Sequence, residues 1–135
     1  MPSAAAKKIR PKYLSLPAIL FQIRLPLPGW VSILHRISGA LLVFPFTGWL
    51  LYLLDASLAS EQGFTHVKDY YLQLTVVKLA LLVFIWSLCH HLCAGIRYLL
   101  LDVHVGVDLP AAKYSSAAVI AGGLLLTALV GAGFW

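Results

Sequence analysis

The chain has 135 residues, 61% of them hydrophobic and 11% charged, and a mean hydropathy of +0.88. Soluble domains carry about 25% charged residues, so this composition excludes an ordinary water-soluble enzyme, and a chain this short that crosses a bilayer has little left for a catalytic domain. The net charge of +5 is uneven: six of the ten bases (Lys7, Lys8, Arg10, Lys12, Arg24 and Arg36) precede residue 37, where no acid occurs. Bases interleaved with aromatics on a stable fold are missing, which speaks against nucleic acid, and membrane orientation explains the leader better.

In chain order, residues 1–29 form a basic segment punctuated by Pro2, Pro11, Pro17, Pro26 and Pro28. It is expected to lie along the cytoplasmic face, with a short interfacial turn around 18–24. A cleaved signal peptide fits poorly, because the basic region and the apolar run are both too long and no small-residue cleavage site follows. Pro28-Gly29 gives way to Trp30 as the start of a first helix over about 30–54, in which 37–54 is uncharged and Pro45 should introduce a kink. A loop over 55–70 carries Asp55, Glu61 and Asp69, expected to be solvated. A second helix follows over about 71–101, uncharged from 79 to 96, and a third over about 114–135, uncharged throughout. Each reaches the roughly 20 residues that span a hydrocarbon core, and none shows the short alternating segments of a barrel. The expected architecture is therefore all-α, with three transmembrane helices in an anchor domain over 30–135.

The base distribution puts the N-terminus in the cytoplasm and the C-terminus in the periplasm. Trp30, Tyr52, Tyr70, Tyr71, Tyr114 and Trp135 fall near helix ends, as an aromatic belt requires. Small residues in the third helix, Ala118 with Gly122 and Ala128 with Ala132, suit close helix packing.

Ionisable groups at membrane depth are costly and mark function or pairing. The first cluster is Ser32-Ile33-Leu34-His35-Arg36-Ile37-Ser38-Gly39, where spacings of three and four put Ser32, His35, Arg36 and Gly39 on one helix face. The second is Cys89-His90-His91-Leu92-Cys93-Ala94-Gly95-Ile96-Arg97-Tyr98, leading to Asp102. Adjacent helical residues point about 100° apart, so His90 and His91 cannot serve one centre. His91 has Gly95 one turn on, which suits a flat macrocycle against the helix, and a b-type haem needs an axial nitrogen with such room beside it. At 1.5 Å per residue His35 lies roughly 7 Å inside Trp30 and His91 roughly 9 Å inside Arg97, so both fall near the cytoplasmic leaflet. The alternative for either imidazole is an interhelical hydrogen bond. Cys89 and Cys93 have neither covalent-haem nor zinc spacing and read as packing residues, and no phosphate loop or hydrolase motif occurs. Lys78 is expected to snorkel outward, with His66 and His104 in surface loops.

Taken together, the first cluster, then His91-x-x-x-Gly95-Ile96-Arg97 and Asp102, and the leader Arg10-Pro11-Lys12-Tyr13-Leu14-Ser15-Leu16 resemble the cytochrome b subunit of succinate dehydrogenase, the larger membrane anchor of respiratory complex II. The resemblance covers nearly the whole chain. It implies one part of a heteromeric helical bundle in the bacterial inner membrane, with a smaller membrane-anchor subunit, an iron-sulfur subunit and a flavoprotein subunit as partners. It implies haem b with His91 as one axial ligand to the iron and a histidine of the smaller anchor as the other, His35 and Arg36 at the haem propionates, and Ser32 and Arg36 lining a site for ubiquinone. Members of that family often have His where Tyr98 follows Gly95-Ile96-Arg97, so any contact from that position to the haem edge falls here to a tyrosine hydroxyl. A structural anchor without haem, a self-contained small cytochrome b using His35 as second ligand, and an anchor for quinol:fumarate reduction are the competing readings.

Overall fold

A computed structural model describes residues 25–133. Residues 1–24 of the basic leader, with its interfacial turn, lie outside the described residues, as does Trp135. Helix α1 (Leu27–Leu41) passes through a π-helical turn (Leu42–Phe46) into α2 (Thr47–Leu58), so that one continuous span covers Leu27–Leu58. A short helix α3 (Glu61–Asp69) and a 3₁₀ turn (Tyr71–Gln73) lead into α4 (Thr75–Asp102), and α5 (Leu109–Ala132) completes the fold. The three long spans are apolar and long enough to cross a bilayer.

The first and third spans begin earlier than expected for a local reason. Pro28 occupies the first turn of α1 and Pro110 that of α5, where a missing N–H costs nothing, so α1 starts at Leu27 rather than Trp30 and α5 at Leu109 rather than Tyr114. Asp108 and Lys113 flank or enter the last helix without ending it, because charge marks the edge of the apolar run and not the edge of the helix. The 55–70 loop holds α3, whose N-cap Ser60 accepts a 2.9 Å hydrogen bond from the Gly63 N–H. Asp55, Glu61 and Asp69 are exposed there as expected. Pro45 sits inside the π-helical turn, where the ladder loosens to i→i+5, and the Thr47 hydroxyl donates to the Leu42 carbonyl at 2.8 Å.

Val31, Ala94 and Val119, one from each span, meet in a core with Cys93, Tyr98 and Ile120 packed against it. The buried stripe of α5 is Ser116, Val119, Gly123, Thr127 and Gly131. It is offset by one residue from the expected one: Ala118, Ala128 and Ala132 are exposed, and Gly122 is at the edge. Gly123 lies directly against the α4 backbone, since a Cβ there would stand 3.2 Å from the His90 Cα. Buried hydroxyls along the helix contacts are satisfied by their own backbones, Ser87 at Val83 (2.8 Å), Ser116 at Ala112 (2.7 Å) and Thr127 at Gly123 (2.6 Å). Between α4 and α5 the chain turns through left-handed residues His104 and Gly106, with φ of 63° and 74°. Only 17–28% of the apolar window of each span is buried within the chain, which leaves most of its surface for lipid or other subunits.

Candidate haem and quinone site

The two histidine clusters meet where α1 and α4 cross. Their sequences read His35-x-x-x-Gly39 and His91-x-x-x-Gly95, and antiparallel packing sets each histidine opposite the other helix's glycine. A Cβ at Gly39 would lie 2.9 Å from His91 Cε1, and one at Gly95 would lie 3.9 Å from His35 Nε2. Both glycines thus admit an imidazole from the facing helix. The space beside Gly95, expected to admit a macrocycle, receives the His35 ring.

The rings of His35 and His91 stack with centroids 4.1 Å apart and planes 15° apart, which bears out the coincidence of depth. Tyr98 packs beside His35, ring centroids 5.1 Å apart, and its buried hydroxyl has no hydrogen-bond partner. His91 Nδ1 lies 3.1 Å from the His35 carbonyl oxygen and 3.2 Å from Ser38 Oγ, while the Ser38 hydroxyl donates to that same carbonyl at 2.9 Å. A carbonyl can only accept, so a proton sits on Nδ1, and in the neutral ring the lone pair is then on Nε2. Among the described residues no hydrogen bond engages Nε2, and the His91 side chain is half-buried.

That donor set fits a haem. Its macrocycle supplies four nitrogens and the protein an axial one, which a single neutral imidazole on a half-exposed face can provide. Among the described residues no three His, Cys, Asp or Glu side chains gather to hold a bare ion.

His90 turns away from this face, as the helix geometry requires. It is 2% exposed, stacks on Trp86 with centroids 5.4 Å apart, and packs against Gly123 of α5 with Nε2 unpartnered. Cys89 and Cys93 are free thiols, and Cys93 faces Gly122. The expected strip on α1 divides: His35 and Gly39 face α4, Ser32 is half-buried, and Arg36 is exposed. Within this chain, Ser32 and Arg36 lie on the boundary of the bundle.

Two features escaped the sequence reading. Arg97 is buried, donating from Nε to Ser115 Oγ at 3.0 Å and lying 5.3 Å from the Tyr98 ring centre. A cavity of about 690 Å³ lies at the opposite end of the bundle, among α2, α3, α4 and the end of α5, and Lys68 and Lys78 line it. Lys78 therefore faces this cavity, half-buried, instead of simply snorkelling.

Residues 7–130 match the family described as succinate dehydrogenase/fumarate reductase transmembrane subunit. Among curated proteins the chain is similar to the succinate dehydrogenase cytochrome b556 subunits of three bacteria. Identity is 35% with that of Paracoccus denitrificans, over 78% of this chain and 80% of the relative. It is 32% with that of Rickettsia prowazekii, over 74% and 76%, and 31% with that of Coxiella burnetii, over 86% and 92%. With the match extending over all three spans and both histidine clusters, the chain belongs to the succinate dehydrogenase/fumarate reductase transmembrane subunit family.

Proposed function

We propose that this chain is the haem-binding, quinone-reducing membrane anchor of a succinate:ubiquinone oxidoreductase. The observation that carries the reading is His91, whose Nδ1–H is held by the α1 backbone and whose Nε2 is left as a bare nitrogen donor. When bound, haem b supplies a one-electron centre inside the bilayer. His91 Nε2 would hold its iron from this chain, together with a histidine of the smaller anchor. His35, stacked on His91, and Arg36, one residue on, would take the propionates.

Ser32 and Arg36 lie four residues apart near the start of α1. They offer a hydroxyl and a guanidinium to the carbonyl oxygens of ubiquinone, which takes up two electrons and two protons to become the quinol. Arg36 stabilises the negative charge that develops on a quinone oxygen, and Ser32 holds the ring in register. The N-terminus is cytoplasmic and the C-terminus periplasmic, and the iron-sulfur and flavoprotein subunits dock beside the start of α1 in the inner membrane. The family covers both succinate oxidation and fumarate reduction, and the same residues serve quinone reduction or quinol oxidation according to the potentials.

The test is quinone kinetics of the membrane complex carrying Arg36→Ala or Ser32→Ala. The expected result is a loss of kcat/KM for quinone of about tenfold or more for Arg36→Ala, equivalent to about 1.4 kcal/mol of lost transition-state binding, with succinate oxidation by a soluble dye intact. Wild-type quinone kinetics in both variants would remove Ser32 and Arg36 from the site.

A further inference from the structure

The hydrogen bonds around His91 carry one step more. Ser38 is fully buried and has no exposed surface on which to act alone. Its hydroxyl is not a free rotor, since it donates to the His35 carbonyl one turn back at 2.9 Å. With its proton so committed, Oγ presents lone pairs to His91 Nδ1 at 3.2 Å, beside the same carbonyl at 3.1 Å. The Nδ1–H of His91 is therefore shared by two acceptors from one turn of α1.

We propose that Ser38 is a positioning residue for His91: it selects the Nδ1–H tautomer, fixes the orientation of the ring, and raises the basicity of Nε2 toward a metal centre. This rests on the reading of His91 as an axial ligand. Acceptors on the far nitrogen of a ligating imidazole orient the ring and enrich it in electrons, and removing one commonly costs ten- to a hundredfold in metal affinity or activity. An electron-richer imidazole favours the ferric state of a haem, so Ser38 holds the midpoint potential down. His35 enters twice, through its ring stacked on His91 and through its carbonyl. Substituting its side chain leaves the carbonyl in place, and only Ser38 can be altered to remove an acceptor.

The experiment is a redox titration of the haem in the complex purified from membranes, with Ser38→Ala, Ser38→Thr and His91→Ala beside the wild type. Ser38→Ala is expected to keep a low-spin haem with a higher potential. The shift corresponds to a change of about tenfold in the oxidised-to-reduced ratio, or about 59 mV for one electron. Ser38→Thr, which keeps the hydroxyl, should return the potential toward wild type. Haem lost from assembled Ser38→Ala complex but kept in Ser38→Thr supports the same role. A wild-type potential in Ser38→Ala, or haem lost from both assembled variants, overturns it. An unaltered spectrum in His91→Ala instead refutes the ligand reading itself, and with it this role, so the two failures are distinguishable.

Discussion

Gly39→Ala is the sharpest probe of the helix crossing, because it adds one methyl group directly against the proposed ligand. The new Cβ would stand 2.9 Å from His91 Cε1, 3.4 Å from Nδ1 and 3.9 Å from Nε2. Ordinary carbon contacts begin near 3.5 Å, so the ring must retreat by about 0.6 Å. It cannot retreat and keep its anchors: Nδ1 already stands 3.1 and 3.2 Å from its two acceptors, and such a shift takes both to or past the limit of a useful hydrogen bond. Stability should fall modestly: overpacking of about 1 kcal/mol is offset by the ~1 kcal/mol that alanine gains over glycine within a helix, which leaves the weakened hydrogen bonds at Nδ1, about 1 kcal/mol, as the net loss. Haem affinity should fall by about tenfold or more through the lost orientation of His91. Haem content per assembled complex, titrated against a haem competitor, measures the effect. Gly48→Ala in the same span is the control, since nothing lies within 4 Å of its Cβ. Wild-type haem affinity in Gly39→Ala would refute the close approach of α1 to His91.

At the α4–α5 contact, Gly123→Ala drives a methyl group against the His90 backbone and should destabilise the chain by about 1–3 kcal/mol. Gly122→Ala, whose Cβ meets only Cys93 Sγ at 3.7 Å, should be neutral, and thermal unfolding in detergent separates the two. His90→Leu removes a buried nitrogen that has no partner. It should leave thermal stability unchanged or raised, with the haem spectrum unaffected, and loss of haem in that variant would transfer ligation to the α5 side of α4.

Much of the architecture was legible from uncharged runs alone, because the bilayer admits few ways to satisfy a backbone. Helix limits were less so. Pro28 and Pro110 look like breaks in a linear reading, yet each sits in a first turn where proline is at home. The helix over Glu61–Asp69 announces itself by Ser60 with Glu61 behind it, a capping signal hidden inside a segment taken for loop. At the site, spacing identified His35, His91 and both glycines, and equal depth placed the two histidines in one leaflet, but the direct stacking of their rings was not foreseen. The partnering of each glycine with the opposite histidine depends on helix direction and register, which no single helix carries. Ser38 belonged to the recognised motif but had no evident role until the fold brought His91 onto its hydroxyl. Likewise, nothing local separates Arg97 from a snorkelling base until Ser115 of α5 is seen to receive its Nε–H.

The reading of this chain as a haem-binding anchor turns on His91. The direct measurement is the dithionite-reduced minus oxidised spectrum of the complex purified from membranes, for wild type and His91→Ala. A low-spin b-type spectrum in the wild type that is lost or grossly altered in the variant is the predicted result. An identical spectrum in the two, or no haem in the wild type, would contradict it.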